Sequence, residues 1–434
     1  MAESDAHEAV ERAAAALETV AELPAEELLS LVRRRFDSRD KYLKLLETHP
    51  TPFYLLDTLV PKAKADRFRE AFQRVLPEIS CYFAVKSNHH PDVAATLVRC
   101  GFGLDVSSGL ELETALGLGV RDIVFSGPGK TDAELLLAAR QADRVAILMD
   151  SFGELGRLER AAASLNRTVR AGVRLTTDPR GLWRKFGILL EDLPAFAEAA
   201  RDCPHVRLQG LQFHTSWNMD PSAQVAFIQA LGRKLAQMPA AFRKGIDFID
   251  IGGGYWPAEG EWLQAAGTPA GRLREAAGLS PGPLDKHFGR PGTPIETFAD
   301  RLGEAVKAHL FPTVSCRICF EPGRWICTEA MHLFIQVVDK KAPDLVVTDA
   351  GTNALGWERF ESDYIPLLNL TRPALEEKPC LVLGSLCTPH DVWGYGYFGQ
   401  GIEPGDVLMV PNVGAYSYSL RQHFIKPLPA VVTV

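Results

Sequence analysis

The sequence predicts an α/β barrel of eight parallel strands followed by a second, mostly β domain. Short apolar runs alternate with amphipathic helical stretches from Ser80 to Ile251. This alternation is typical of parallel β/α units, and the number of runs approaches eight, which favours a closed (β/α)8 TIM barrel over an open sheet. From Thr313 onward the helical alternation fades, and strand-like runs separated by turn residues predict the second domain.

The order of the predicted elements supports this division. The apolar runs that predict the barrel strands are residues 80–85, 103–106, 122–126, 144–149, 169–175, 208–213 and 248–251. The strand-like runs of the second domain are residues 333–338, 345–347, 381–384 and 407–411. We therefore expect a helical extension at 1–48, a barrel at 49–312 and a β domain at 313–434, which the strand at 51–57 can join. Residues 257–294, rich in Gly and Pro, predict an irregular loop.

Composition excludes several classes of protein. The 434 residues carry a formal charge of −7, with 46% hydrophobic and 23% charged residues, so we expect a globular protein with no nucleic-acid partner. No apolar run reaches the roughly 18 residues of a membrane helix, and the acidic N-terminus does not resemble a secretion signal. Eight scattered cysteines favour a reducing, cytoplasmic location. Cys316 and Cys319 lie in a predicted buried strand, so no metal site is expected.

Lys86 is the first candidate catalytic residue. It follows the apolar run 81–85, at the C-terminal end of a predicted strand, where a β/α barrel builds its active site. A desolvated lysine amine loses its proton more easily and can attack an aldehyde. The alternative is an ordinary surface lysine at a strand end, and only the neighbouring motifs favour the catalytic interpretation.

A glycine triplet is a candidate phosphate site. Gly252, Gly253 and Gly254 directly follow the run 248–251, so that backbone N–H groups can approach a phosphate closely. Pro257 stands where a dinucleotide-binding motif has its third glycine, which excludes that motif. A tight turn without a ligand is the alternative.

The segment 321–324 offers two charges three residues apart. Arg324 can clamp a phosphate, and Glu321 can face a pyridine nitrogen and favour its protonated form. A protonated pyridine ring is an electron sink that stabilises negative charge on an α-carbon. A surface ion pair is the alternative.

Three further side chains stand in suggestive positions. His214 ends the strand run 208–213, where an imidazole can stack on a cofactor ring. Cys387 and Tyr416 lie in the second predicted domain. A satisfied core histidine, a small buried thiol and a core or interface aromatic are the respective alternatives.

Taken in order, these segments resemble the ornithine/diaminopimelate decarboxylase family, the fold-type III pyridoxal 5′-phosphate (PLP) enzymes related to alanine racemase. The resemblance extends from Thr51 to the C-terminus, and its ordered set of motifs is far more specific than any single one. The matching segments are 84–88 with Pro91, 102–109 with Glu111, 185–187, His214, 252–254, 321–324, 384–387 with Asp391, and 414–416. The resemblance implies a PLP-binding, alanine-racemase-like barrel, a C-terminal β-barrel or sandwich domain, and a PLP-dependent amino-acid decarboxylase, a lyase.

The resemblance also implies individual roles. Lys86 would hold PLP as a Schiff base, His214 would stack on the ring, and Glu321 would pair with the ring nitrogen. Glu111 would support the lysine from the barrel floor. The implied cofactor-binding residues are Lys86, Asp105, Arg174, His214, Ser216, Gly253, Gly254, Glu321, Arg324 and Tyr416.

Cys387 matches the cysteine that, in this family, reaches into the partner subunit's site and protonates the α-carbon after CO₂ leaves. The resemblance therefore implies a homodimer with shared active sites and gives the β domain a catalytic role. The expected ligands are a small amino-acid substrate and PLP, without a metal, a nucleic acid or a membrane.

Two departures from the family pattern bear on the substrate. Thr388 follows the cysteine where ornithine and diaminopimelate decarboxylases carry Asp or Glu. A neutral hydroxyl cannot offset the desolvation of a buried ammonium, which disfavours ornithine, lysine and unmodified diaminopimelate. Residues 357–366 also replace an Arg-Pro-x-x-Tyr element of diaminopimelate enzymes.

These departures look closest to the siderophore-biosynthesis branch, which implies a carboxylate-bearing diamino-acid conjugate such as a citryl-diamino acid as the substrate. The candidate substrate contacts are Thr388, His390, Asp391 and Arg359, with Arg180 and Arg184. Decarboxylation of diaminopimelate, ornithine or lysine remains the alternative.

Two other functions fit the same fold. An amino-acid racemase of this type uses an opposing tyrosine and lacks a carboxylate facing the pyridine, so Glu321 and Cys387 favour decarboxylation. An inactive regulatory homologue would be expected to lose cofactor contacts, whereas the full set is present in this chain.

Overall fold

The computed structural model describes residues 2–17, 20–356 and 359–434, which form two compact units. The barrel unit comprises Thr58–Ala258 and Gly292–Cys327. The second unit comprises Met1–Asp57, Glu259–Pro291 and Thr328–Val434. Each unit is therefore assembled from separate stretches of the chain.

The barrel unit is built on a closed barrel of eight parallel strands, which confirms the predicted fold class. Each strand pairs with the next along the chain, and the last pairs with the first. The eight strands are Ile79–Ala84, Gly103–Val106, Ile123–Phe125, Val145–Met149, Val169–Leu175, Val206–Phe213, Phe248–Asp250 and Arg317–Phe320.

Large and small residues alternate inside the barrel. Tyr82 and Phe248 contribute large rings to an interior cluster, while neighbouring strands contribute glycines. A Cβ atom at Gly210 would lie 2.0 Å from the Phe248 ring, and one at Gly103 would lie 2.5 Å from the Tyr82 ring. The barrel interior is therefore filled by side chains rather than open, as in other barrels of this size.

Amphipathic helices surround the barrel strands. Their buried faces carry the apolar residues that the sequence pattern predicts, as in the helix Phe152–Ser164, where Leu155 and Leu158 are buried. The helices of this unit are Leu59–Gln73, Pro91–Arg99, Gly109–Gly117, Asp132–Arg140, Phe152–Ser164, Leu193–Arg201, Ser222–Gln237, Ala240–Lys244, Ile295–His309 and Arg324–Cys327.

The barrel extends beyond residue 312, where the sequence analysis ended it. Its eighth strand is Arg317–Phe320, between the strands Phe248–Asp250 and Ile79–Ala84. The alternation that predicted the barrel fades there because this strand is followed by the four-residue helix Arg324–Cys327 rather than by a long helix. The extent of the three predicted regions otherwise remains a prediction.

The second unit contains an eight-stranded sheet. Six of its strands form a closed ring, because Leu345–Thr348 pairs with both Met331–Ala342 and Glu377–Leu383. Phe53–Leu56 pairs with Met331–Ala342, so the strand predicted at 51–57 belongs to this sheet. The strands of the sheet are Phe53–Leu56, Met331–Ala342, Leu345–Thr348, Leu368–Asn369, Glu377–Leu383, Val392–Phe398, Val407–Val410 and Ala430–Thr433.

Residues 257–294 are not the irregular loop that their composition predicts. Glu261–Leu263 and Phe288–Arg290 form a small antiparallel sheet with Ala21–Glu22. The helix Pro269–Ala276 packs on Ala2–Leu17, and Arg274 forms an ion pair with Glu11 at 3.0 Å. Local periodicity did not reveal these elements because each is short, and because the pairing with Ala21–Glu22 and the packing on Ala2–Leu17 join residues more than 200 positions apart.

Among its described residues, the predicted N-terminal helical extension contains the helices Ala2–Leu17, Ala25–Asp37 and Arg39–Leu46, with the strand Ala21–Glu22 between the first two. The second unit also contains the short helix Ser417–Leu420. Within the part of the chain that the structure describes, no helix combines the length and apolar character that a membrane span requires.

Phe320 is expected to be a major contributor to barrel stability. Its ring is fully buried and lies 4.1 Å from the ring of Phe72, centroid to centroid. Phe320→Ala should lower the free energy of unfolding by about 3–5 kcal/mol, because it removes an aromatic ring and leaves a cavity. Urea unfolding followed by circular dichroism measures this loss. Leu110→Ala, at a residue 76% exposed, is the control and should change stability by less than about 0.5 kcal/mol.

His332 should make the protein sensitive to acid. It is buried and accepts a hydrogen bond from the Asn412 backbone N–H at 3.0 Å, and burial lowers its pKa well below 6.5. As the pH falls below 6.5, the unfolded chain binds a proton that folded His332 does not, so stability is lost by about 1.4 kcal/mol per pH unit. His332→Asn should reduce this slope in urea titrations, whereas His423→Asn, at an exposed residue, should leave it unchanged.

Candidate functional site

Lys86 lies directly after the first barrel strand, in the short 3₁₀ turn Val85–Ser87. Its Nζ atom is 2.9 Å from Oδ2 of Asp105, at the end of the neighbouring strand. The side chain of Asp105 is fully buried, whereas that of Lys86 is 36% exposed. The lysine is therefore anchored at its charged end and still accessible at the barrel mouth.

Asp105 is held in place from two sides. Its second carboxylate oxygen accepts a hydrogen bond from the hydroxyl of Ser126, at the end of the third strand. Burial raises the pKa of Asp105, and the negative charge of Glu321 raises it further, while Lys86 opposes both effects. Glu111 lies nearby in the chain and accepts a hydrogen bond from the Ser107 N–H at 2.6 Å. Burial raises the pKa of Glu111.

Glu321 and His214 come together from the eighth and sixth strands. Nδ1 of His214 is 3.8 Å from Oε2 of Glu321, and Nε2 of Gln212 donates to Oε1 at 3.4 Å. Burial raises the pKa of Glu321, but its interaction with His214 and the positive charges of Lys86 and Arg174 bring the pKa below its usual value. A buried carboxylate that stays ionised is suited to face a protonated ring nitrogen.

His214 is held as a neutral ring. Burial lowers its pKa, and the positive charges of Lys86 and Arg174 act in the same direction. The Gly253 N–H donates to Nδ1 at 3.2 Å, and the Ser216 hydroxyl lies 3.3 Å from Nε2. The imidazole orientation is therefore fixed by groups on both ring nitrogens.

The glycine triplet adopts a conformation that only glycine tolerates. Gly252 and Gly254 have φ angles of +70° and +82°. A Cβ atom at Gly253 would lie 2.2 Å from the carbonyl oxygen of Glu321, and one at Gly254 would lie 2.3 Å from that of Thr215. The turn thus brings its backbone close to the strand ends that carry His214 and Glu321, as a phosphate-binding turn requires.

Arg324 begins the helix Arg324–Cys327, three residues after Glu321. Its guanidinium lies 4.3 Å from the ring centroid of Trp256, two residues after the glycine triplet. The sequence predicted the charge at this place, whereas the stacking on Trp256 became visible only in the structure.

Arg174 is 8% exposed at the end of the fifth strand, and its guanidinium stacks at 4.4 Å on the ring of Phe186. Lys185 is exposed, and Gly187 has a φ angle of +71°. Arg180 forms an exposed ion pair with Asp178 at 3.0 Å. The segment 185–187 that carried part of the resemblance therefore packs against a predicted cofactor-binding residue.

Cys387 lies in the second unit on an exposed loop between Glu377–Leu383 and Val392–Phe398. Thr388 is half-buried, and its hydroxyl accepts a hydrogen bond from the N–H of exposed His390 at 3.4 Å. The sulfhydryl, the hydroxyl and the imidazole are thus presented by one short turn.

Asp391 is buried beneath that turn. Its Oδ1 atom accepts from the Thr352 N–H at 2.7 Å, and its Oδ2 atom accepts from the Leu386 N–H at 2.7 Å. A Cβ atom at Gly384 would lie 2.2 Å from this carboxylate. Because its oxygens bind groups of the same unit, the geometry favours Asp391 as a support of the Cys387 turn over a substrate contact.

The segment from 357 onward lies only partly within the described residues, because Trp357 and Glu358 fall outside them. Arg359 is exposed, and its carbonyl oxygen accepts from the Ser362 N–H at 2.9 Å. Tyr364 is buried: its ring stacks on His287 at 3.4 Å and its hydroxyl donates to Glu377 at 3.0 Å. The tyrosine of this segment therefore has structural partners.

Tyr416 precedes the helix Ser417–Leu420 with a φ angle of +66°, a left-handed conformation that is uncommon for an aromatic residue. Such backbone strain is concentrated at functional sites. This backbone conformation was not predicted from the sequence.

Sequence reasoning missed Asp250. It is fully buried at the end of the seventh strand, and Oδ1 accepts from the Gly252 N–H at 2.9 Å. Burial and the negative charge of Glu321 raise the pKa of Asp250 well above its usual value, whereas the pKa of Glu321 is lowered. Its position two residues before the glycine triplet was the available signal.

The barrel-unit residues fit PLP by their chemistry. An amine, a neutral imidazole and an ionised buried carboxylate lie at the C-terminal ends of strands of one barrel. The glycine turn has the close backbone approach that a phosphate needs, and Thr215 Oγ1 and Gln212 Oε1 are buried without a hydrogen-bond partner. The fold and site define a PLP enzyme built on a parallel barrel.

Comparison with known proteins makes the assignment specific. Residues 62–328 match the family described as pyridoxal-dependent decarboxylase, pyridoxal binding domain. The chain belongs to this family of fold-type III decarboxylases. It is a PLP-dependent amino-acid decarboxylase, as the sequence resemblance implied, and its cofactor is PLP.

Relatives cover nearly the whole chain. The L-glutamyl-[BtrI acyl-carrier protein] decarboxylase of Niallia circulans is 28% identical over 88% of this chain and 88% of its own. The diaminopimelate decarboxylase of Aquifex aeolicus is 26% identical over 90% of this chain and 88% of its own. The Helicobacter pylori diaminopimelate decarboxylase structure with L-lysine shares the fold with a TM-score of 0.74 at 24% identity, covering 91% of this chain and 94% of that chain.

Lys86 is expected to be the attachment point of the cofactor. Lys86→Ala should abolish the yellow colour of the purified protein, because it removes the amine that lies beside Asp105 at the barrel mouth. Absorption spectra after incubation with excess PLP measure this. Lys185→Ala, at an exposed lysine of the same unit, is the control and should remain yellow. A yellow Lys86→Ala protein would contradict the assignment.

Proposed function

We propose that this enzyme removes the α-carboxylate from a carboxylate-bearing diamino-acid conjugate, such as a citryl-diamino acid in siderophore biosynthesis. Lys86 would hold the cofactor and Cys387 would deliver a proton. The observation that carries the proposed roles is the convergence of Lys86, Asp105, Glu321 and His214 at the strand ends of one barrel.

The bound cofactor supplies an electron-accepting ring that takes up the electron pair released when the bond between the α-carbon and the carboxylate breaks. Glu321 favours protonation of the ring nitrogen by staying ionised, and Gln212 orients it with a hydrogen bond. The raised pKa of Asp250 disfavours a second negative charge beside it. Asp105 holds the amine of Lys86 at the strand end.

His214 would lie against the ring face as a neutral imidazole, which keeps a second positive charge away from the protonated ring. Gly253, Gly254, Ser216 and Arg324 would bind the phosphate, and Tyr416 stays a proposed phosphate contact on the strength of the sequence resemblance. The positive charge of Arg174 would lower the pKa of both Glu321 and His214. The backbone approach of the glycine turn supports the phosphate assignment.

Cys387 would donate its sulfhydryl proton to the α-carbon after CO₂ has left, so that the carboxylate is replaced by hydrogen. Cys387 is exposed on a turn, and buried Asp391 holds that turn in place. This arrangement fits a residue that serves the active site of a second copy of the chain. We therefore propose a homodimer with shared sites. The eight free cysteines favour a reducing, cytoplasmic setting.

The substrate proposal rests on the turn at Cys387. Thr388 and His390 offer a hydroxyl and an imidazole where ornithine and diaminopimelate decarboxylases carry an acidic residue. These groups suit a carboxylate better than a free ammonium. A conjugated substrate is also named for the relative from Niallia circulans, which acts on a glutamyl group attached to a carrier protein.

Diaminopimelate is the second candidate. Several relatives of comparable identity are diaminopimelate decarboxylases, among them those of Aquifex aeolicus and Helicobacter pylori. A substrate of the ornithine or lysine type is a further candidate because of the same family membership. The structural match to a lysine/ornithine decarboxylase shows the shared fold.

A substrate panel separates these candidates. For CO₂ release by the purified enzyme with PLP, kcat/KM should be higher with citryl-diaminopropionate than with diaminopimelate, ornithine or lysine. Thr388→Glu should raise kcat/KM for the substrates with a distal ammonium by about tenfold or more, because it restores a charged partner. Efficient turnover of free lysine, ornithine or diaminopimelate by the unmodified enzyme would contradict the proposal.

Cys387 is tested by substitution and by mixing subunits. Cys387→Ala should lower kcat by about 10²–10⁴-fold because a positioned proton donor is lost, with no change in PLP absorbance. Cys203→Ala, at a half-buried cysteine of the barrel unit, is the control and should retain activity. Mixed dimers of Lys86→Ala and Cys387→Ala subunits should regain activity if the sites are shared, and should stay inactive if each subunit works alone.

A further inference from the structure

A buried cluster of three charges lies outside the proposed reaction chemistry. The side chain of Lys130 is completely buried, and its Nζ atom is 2.8 Å from Oε1 of Glu154 and 4.0 Å from Oδ2 of Asp150. Nζ also donates to the carbonyl oxygens of Gly127 and Leu148, each at 2.6 Å. A fully desolvated ammonium is rare unless it is paired and hydrogen-bonded, as it is here.

The cluster continues through Asp150 to the turn beside Arg174. Oδ1 of Asp150 accepts a hydrogen bond from the Gly187 N–H at 2.7 Å. Glu154 fixes Asp150 in turn, because its Oε2 atom accepts from the Asp150 N–H at 3.1 Å. The three side chains therefore determine where residue 187 lies.

The turn at 186–188 packs closely on Arg174. The Ile188 N–H donates to the Arg174 carbonyl oxygen at 2.9 Å, and a Cβ atom at Gly187 would lie 2.6 Å from that oxygen. The Phe186 ring lies under the Arg174 guanidinium at 4.4 Å, so it limits the directions in which the guanidinium can point. Displacing Gly187 would move this ring.

We propose that Lys130 is a positioning residue that, by neutralising Asp150 and Glu154, fixes the Phe186–Gly187 turn and so holds Arg174 beside Glu321 and His214. Without the Lys130 ammonium, the buried carboxylates of Asp150 and Glu154 would face each other. Asp150 would then move away and lose the hydrogen bond from the Gly187 N–H. This role does not depend on which amino acid the enzyme decarboxylates.

Lys130→Met tests the proposal in the protein without cofactor. Hydrogen exchange of the Gly187 amide should accelerate by roughly tenfold or more, because a hydrogen bond to a charged acceptor is lost. The pKa of His214, followed by NMR, should shift upward, because the positive charge of Arg174 that lowers it is no longer held nearby. Lys307→Met, at an exposed lysine of the same unit, should change neither quantity.

A pair of substitutions at Asp150 provides the test if Lys130→Met does not fold. Asp150→Ala removes the acceptor for Gly187 and should reproduce both effects, whereas Asp150→Asn keeps an acceptor oxygen and should leave exchange within about threefold of the unmodified protein. Arg174→Met should raise the pKa of His214, and adding Asp150→Ala to it should cause no further rise.

Contrary results would overturn the proposal. A folded Lys130→Met or Asp150→Ala protein with reduced stability but unchanged Gly187 exchange and an unchanged His214 pKa would show that the cluster is only structural. Equal effects of Asp150→Ala and Asp150→Asn on exchange would show that the hydrogen bond to Gly187 is not the connection. Because these measurements need neither cofactor nor substrate, their failure is distinguishable from failure of the proposed function.

Discussion

The buried carboxylate of Glu321 is the constraint on which the site depends. An ionised carboxylate in the interior is costly unless positive charge and hydrogen bonds surround it. Here Lys86 and Arg174 supply the charge, Gln212 supplies a hydrogen bond, and the raised pKa of Asp250 disfavours a second negative charge nearby. Each of these groups stands near the end of a barrel strand, so the electrostatics of the site require the barrel to close.

Closure in turn depends on the pairing of residues that are distant in sequence. The strand that precedes Glu321 lies between the first and seventh strands, and it fits there because the barrel interior alternates rings with glycines. The pair of Phe248 and Gly210 shows the principle, because one ring occupies the space that a second side chain would need. A parallel barrel places the ends of all its strands at one mouth, where the catalytic side chains then meet.

In the second unit, buried hydrogen bonds hold in place the loop that presents the exposed thiol of Cys387. Asp391 binds backbone N–H groups on both sides of the turn, and Gly384 leaves room for that carboxylate. The same logic applies to the Gly187 turn in the barrel unit, which Asp150 holds. In both places a buried aspartate orders a loop whose neighbours carry the functional groups.

The sequence alone determined the fold class, the cofactor and the reaction type, because strand periodicity and the order of short motifs are local properties of the chain. Seven of the eight barrel strands follow directly from apolar runs, whereas Arg317–Phe320 was assigned to the wrong side of a boundary because no long helix follows it. The elements within 257–294 escaped prediction because they are short, and because part of their pairing is with the distant strand Ala21–Glu22.

Only the tertiary structure decided which charges face one another. The raised pKa of Asp250, the lowered pKa of Glu321 and the stacking of Arg174 on Phe186 all depend on distances between groups that are far apart in sequence. Sequence spacing does not encode those distances, because burial and Coulomb interactions act through space rather than along the chain. For that reason the candidate site residues could be proposed from the sequence, while the distances between them and the presence of Asp250 among them could not.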